Sequence, residues 1–125
     1  MKTIKRLAAA AAAATIACLF SSSTALAETQ FDKLSISTIR AVGQYSDPAF
    51  ANTLEVWFTV PLVVPAGSPC TDARRVYIDA KHYHLVAMAQ MAFMKGRQVN
   101  VALDARLPIR GGACEVVYID VLPGA

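Results

Sequence analysis

A mainly β domain with one helix, in the order β-β-β-α-β-β, is predicted by three features of this 125-residue chain. Five stretches alternate large apolar and polar residues with period two, the pattern of half-buried strands. One run, Tyr83 to Lys95, holds no glycine or proline and is followed at once by Gly96. The first strand pattern also slips by one residue partway along, as a bulged and bending strand does.

The elements follow a targeting segment. Lys2, Lys5 and Arg6 form a basic start, Leu7 to Phe20 is apolar and alanine-rich, Ser21 to Thr24 is a polar break, and Ala25-Leu26-Ala27 is a small-x-small cleavage site. That order is a secretory signal peptide over residues 1–27, and its apolar run falls short of the roughly 20 residues a membrane span needs. A lipoprotein signal ending at Cys18 is the competing assignment, although Thr15-Ile16-Ala17 lacks the leucine-like residue such signals prefer. The expectation is a single domain over residues 28–125, exported to the periplasm or secreted. Without Lys2, Lys5 and Arg6, nine basic residues balance nine acidic ones, so the overall +3 belongs to the targeting segment. A neutral domain lacks the cationic footprint that nucleic-acid binding requires.

The first strand is expected from Phe31 to Gln44. Leu34 and Ile36 alternate with polar neighbours, the next apolar residue is Ile39 three positions on, and Gly43 closes the stretch before the turn Tyr45-Ser46-Asp47-Pro48. Thr53 to Leu62 is the clearest strand, with Leu54, Val56, Phe58, Val60 and Leu62 on one face and Glu55, Trp57 and Thr59 on the other. Pro61 limits pairing at its end. Arg74 to Asp79 follows, with Val76 and Ile78 inward and Arg75, Tyr77 and Asp79 outward.

The helix Tyr83–Lys95 is rich in alanine and methionine, both good helix formers. Asp79 suits its approach, and Gly96 suits the left-handed residue that ends a helix. Leu85, Met88, Ala89, Ala92 and Phe93 make one apolar face, yet the back carries Ala87, Met91 and Met94 around a lone Gln90, where a surface helix is normally polar. Gln98 to Asp104 and Cys114 to Leu122 complete the strands, with Val99, Val101 and Leu103 inward on the first and Val117, Ile119 and Val121 on one face of the second.

This order, with a bending first strand and a helix between the third and fourth, is that of the OB-fold, a five-stranded Greek-key barrel. An open α+β sheet is the alternative. A domain of this size buries only about two thirds of its unfolded surface, so a covalent staple matters. Cys70 and Cys114 remain after signal removal, and an even pair in an exported chain reads as one disulfide. It would close a loop of about 45 residues and contribute roughly 4 kcal/mol in the chain-entropy picture. Two free or metal-binding thiols are the other reading, though no second ligand pair stands at zinc-like spacing.

Two stretches resemble the B-subunit family of bacterial AB5 toxins, of the subtilase cytotoxin and typhoid toxin type. Val42-Gly43-Gln44 closes the first strand as a Val/Thr-Gly-Gln triplet does there, and Ala89, Gly96 and Val99-Asn100-Val101 match the family's helix-to-strand junction. The resemblance implies a secreted OB-fold that assembles as a homo-oligomer, a ring of five, and binds cell-surface glycans or glycoproteins. An enzymatic A subunit is the further partner of such toxins, and this chain does not identify one. The family's sugar-contacting serine is not carried over: Asp32 or Lys33 stands at its place, with Ser35 nearby but out of register.

Catalytic chemistry finds no support in the residues. His82 and His84 are spaced i, i+2 rather than the i, i+4 that puts two ligands on one helix face. No serine lies in an elbow motif, and the carboxylates are scattered singly. The expected protein is therefore not an enzyme and needs no metal or cofactor; a small hydrolase ranks last. Trp57, beside Glu55 on the non-core face, is the candidate platform for a sugar, with Tyr77 and Arg75 adding hydrogen bonds. Ala87, Met91 and Met94 are the candidate oligomer interface. A periplasmic interaction or inhibitor module acting through the loop Pro65 to Thr71 is the alternative function.

Overall fold

In the computed structural model residues 28–124 are described, and the signal-peptide assignment, Cys18 included, lies outside them. The elements are β1 (Thr29–Val42), β2 (Thr53–Phe58), β3 (Arg75–Asp79), α1 (Tyr83–Met94), β4 (Gln98–Asp104) and β5 (Cys114–Val121). The strands form one mixed sheet closed on itself in the order β1-β2-β3-β5-β4, with β4 pairing back onto β1. Every pairing is antiparallel except β3 with β5. Closure leaves none of these strands as an edge open to another chain.

The ring closes because β1 is long and bent. Its first half pairs with β4 and its second half with β2. Two register slips divide it. Between Phe31 and Leu34 the chain turns through Lys33, at φ 54°, whose N–H donates to Asn100 Oδ1 at 2.9 Å. Between Ile36 and Thr38 the extra residue is Ser37. This second slip is the one legible between Ile36 and Ile39.

Alternation then sorts the faces. Leu34, Leu54, Val56, Phe58, Val76, Ile78, Val99, Val101 and Leu103 share the core with Leu85, Ala89 and Ala92 of the helix. Each fully buried aliphatic or aromatic side chain is worth about 1.5–3 kcal/mol against exposure. The helix packs on β1 and β5. It ends in a Schellman arrangement: Gly96, at φ 61°, donates to Phe93 O, and Arg97 N–H donates to Ala92 O at 2.9 Å. At its start Asp79 shapes the approach, its backbone oxygen accepting from His82 and its Oδ1 from Lys81. His82 occupies the cap position without a side-chain cap bond.

Several expectations need correction. β1 begins at Thr29 and ends at Val42, two residues earlier at each end than expected. β2 stops at Phe58 rather than Leu62. Thr59 N–H turns to Ser35 O, Pro61 has no donor, and Val60 is 51% exposed, while Leu62 is buried from within the loop. On β5, Val116 and Ile119 face the core, not Val117 and Ile119. A bulge opposite Ala102 and Leu103 leaves Val117 without a partner in the register and reverses the alternation. Phe93 is 39% exposed and belongs to the outer side of the helix.

Cys70 and Cys114 form a disulfide, with Cα atoms 5.4 Å apart, inside the range such bonds require. It sits beside the thinnest seam of the sheet, since β3 and β5 share only the pairs Val76–Cys114 and Tyr77–Glu115. Among the described residues no helix is long and apolar enough to cross a membrane.

Candidate functional site on the outer face of strands β1 to β3

The outward residues of neighbouring strands form a row. Arg40 on β1 faces Glu55 on β2, Glu55 faces Tyr77 on β3, and Tyr77 faces Glu115 on β5. Glu55 is only 3% exposed although it points away from the core. Two arginines cover it: Arg75 Nη1 donates to Oε1 at 2.9 Å, and Arg40 Nη1 reaches Oε2 at 3.5 Å. A buried carboxylate needs such partners, because desolvation otherwise costs several kcal/mol.

Arg75 is anchored on all sides. Its Nη2 donates to Gly111 O at 2.7 Å. Its Nε stands 3.0 Å from Asp72 Oδ2, off the line of a hydrogen bond, so this contact is an ion pair alone. The guanidinium lies 5.4 Å from the centre of the Phe50 ring and 5.8 Å from that of Trp57, while Arg40 lies 4.9 Å from the Trp57 ring. These are cation–π distances. Gly111 lets the β4–β5 loop come this close. It has φ 55°, and a Cβ there would stand 2.6 Å from the Phe50 ring.

Two hollows open next to Arg40. One, of about 520 Å³, is lined by Arg40, Gly43, Tyr45, Asp47, Phe50 and Arg75 among others. Its loop is held by Asp47, whose Oδ1 accepts from Ala49 N–H, and by Asn52 N–H donating to Gly43 O at 2.8 Å. The other, of about 310 Å³, is lined by Ser37, Thr38, Arg40, Trp57, Phe58 and Arg74. The β1 bulge supplies Ser37, whose hydroxyl donates to Trp57 O at 3.2 Å.

Of the four predicted ligand residues, Trp57, Glu55 and Arg75 come together here, and Trp57 keeps part of its ring exposed. Tyr77 does not join them at the surface. It is 2% exposed, its hydroxyl donates to Pro108 O and lies 3.1 Å from Glu115 Oε2, and Arg110 covers its ring at 5.1 Å. Burial first, and the negative charge of Glu115 second, push its phenol pKa well above the ordinary value. Arg110 is itself fixed by Asp79 Oδ2 and Ala51 O, both at 3.0 Å. His82 Nε2 lies 3.6 Å from Glu115 Oε1. Arg40, Arg74, Phe50, Ser37 and Thr38, which also line this face, are not among the candidate ligand residues legible in the chain. The one signal pointing to them was the slip at Ser37, since bulges re-aim side chains near functional surfaces.

A second surface is the back of α1. Met91 is 44% exposed and Met94 81%, beside exposed Ala87 and Tyr83. Among the described residues no three His, Cys, Asp or Glu side chains are grouped to hold a metal ion. No protein-family model, curated protein or solved structure matches this chain.

Proposed function

We propose that this is an exported, non-enzymatic binding domain of OB type that recognises glycans. The observation that carries the reading is the partly exposed Trp57 ring beside Arg40 and Arg75, with hollows lined by polar residues next to Arg40. An indole face takes the C–H side of a sugar ring, and guanidinium and hydroxyl groups around it take the ring's hydroxyls. The strand order, with β4 returning to β1 and β3 parallel to β5, supports the OB assignment. OB-folds bind oligosaccharides and oligonucleotides on strands two and three and the adjoining loops. Here β2, β3, the loop after β1 and Gly111 of the β4–β5 loop build the same region. The neutral charge of residues 28–125 favours sugar over nucleic acid. The signal-like leader and the disulfide support export. The resemblance to toxin B subunits points the same way.

The apolar back of α1 supports assembly with further copies, since exposed apolar surface of this kind marks interfaces. Screening the secreted protein on a glycan array tests the first claim. Binding that disappears in Trp57→Ala with the fold intact supports it, and silence across the array overturns it. Light scattering tests the second: a monomer throughout the micromolar range excludes a ring.

One observation favours a protein-binding alternative. In the loop between β2 and β3, Val63 is 88% and Val60 51% exposed, and Pro61, Pro65 and Pro69 stiffen the segment ahead of Cys70. A partner recovered by pull-down and lost in Val63→Asp, without any sugar signal, would select this reading.

A further inference from the structure

We infer that the hollow between the β1 bulge and Arg74 is an oxyanion subsite, and that the glycan bound on this face carries a sulfate ester. This rests on the glycan reading above and names the class of sugar.

The two hollows differ in charge. The larger one includes Glu55 and Asp47 in its wall. The smaller one has no acidic side chain in its wall; it is lined by Arg40, Arg74, Ser37, Thr38, Trp57 and Phe58, and the Phe58 side chain itself is buried in the core. Both guanidiniums have donors to spare. Arg74 has no carboxylate within 4.0 Å among the described residues; Asp72 takes its backbone N–H, not its side chain. Arg40 has a side chain 64% exposed, and among the described residues its one ion pair is the 3.5 Å contact with a carboxylate already held by Arg75 at 2.9 Å. Each guanidinium carries five N–H donors and no acceptor, so the pair selects for an anion.

Geometry narrows the anion. Arg40 comes from β1 and Arg74 from the residue before β3, on opposite flanks of β2 and its Trp57. A carboxylate has two oxygens in one plane, which a single guanidinium fork satisfies. A sulfate ester has three terminal oxygens spread over a cone, and these can reach donors on both flanks at once. Trp57 lies between as the face for the sugar ring that bears the ester. Ser37 spends its proton on Trp57 O, so its oxygen remains as an acceptor for a neighbouring sugar hydroxyl. At about 310 Å³ the hollow stands at the small end of ligand sites, suited to one substituted ring.

The test is isothermal titration of the secreted, oxidised protein with four probes: a sulfated disaccharide, the same disaccharide desulfated, a carboxylated disaccharide, and a single-stranded oligonucleotide. We expect the sulfated sugar to bind at least tenfold more tightly than its desulfated form, with the advantage shrinking as salt rises from 50 to 200 mM. Arg74→Ala and Arg40→Ala should each weaken the sulfated sugar far more than the desulfated one, removing most of that advantage, with little change in the urea midpoint. Equal affinity for sulfated and desulfated sugar overturns the subsite and leaves the glycan reading standing. Preference for the carboxylated sugar or the oligonucleotide, or an unaltered Arg74→Ala, also overturns it. Failure of every sugar removes the glycan reading itself, and the subsite with it.

Discussion

Glu55 and Glu115 stand in one cross-strand row, two strands apart, and both are buried, yet they are covered by different things. Glu55 is covered by side chains: Arg75 from the adjacent strand and Arg40 from the other. Glu115 neighbours Tyr77, which the β4–β5 loop seals through Pro108 and Arg110. Side-chain cover can be rearranged by a ligand at the cost of a rotamer change. Backbone cover cannot move without displacing a loop held by Arg110 to Ala51 O and Asp79. The row is therefore open at one end and closed at the other, and the two hollows lie at the open end.

The contrast can be broken most severely at Glu55. Glu55→Ala leaves Arg75, only 14% exposed in its side chain, with Asp72 as its one remaining anion among the described residues. Breaking a buried pair by removing one partner costs about 3 kcal/mol, read from the urea midpoint. At the closed end, Tyr77→Phe removes a hydroxyl from Pro108 O and Glu115, at a cost of about 1 kcal/mol. The same substitution should flatten the alkaline limb. With the folded-state pKa raised, stability is complete below the unfolded value of about 10 and falls as pH rises above it. Thermal unfolding between pH 8 and 11 measures this.

A smaller effect is expected from Arg40→Ala, which removes an exposed cation and a long ion pair. The midpoint should shift by less than about 0.5 kcal/mol, which would mark Arg40 as a movable cover. The smallest concerns Asp104, the next member of the row beyond Glu115. Hydrogen bonds from the Arg106 side chain and then its backbone hold this carboxyl down to about 2. The resulting stability is present above the unfolded carboxylate value and lost as pH falls toward 2, so Arg106→Ala should make the drop between pH 4 and 2 shallower. Circular dichroism melts across that interval would show it.

Much of the ring was legible in the chain. The alternation of Leu54, Val56 and Phe58 set the core face of β2, and the slip between Ile36 and Ile39 located the bulge. What failed, failed where a local pattern met a long-range pairing. Val116 and Val117 exchange faces because of a bulge against β4, and nothing in CEVVYIDV marks it. The outward Glu55 reads as solvated until Arg40 and Arg75 are seen above it, since its two partners lie 15 and 20 residues away.

The chain by itself determined the element order, the inner faces of β2, β3 and β4, the helix stop at Gly96 and the availability of one cysteine pair. These depend on side-chain period, backbone freedom and composition, which are local. Only the tertiary structure decided which outward residues meet. Closing β1 onto both β2 and β4 set Arg40 over Trp57, placed Gly111 against Arg75, and put Tyr77 beneath the β4–β5 loop rather than beside Trp57. Those contacts depend on register and loop course, which are properties of pairs of strands. The same closure left Met91 and Met94 of the helix turned outward.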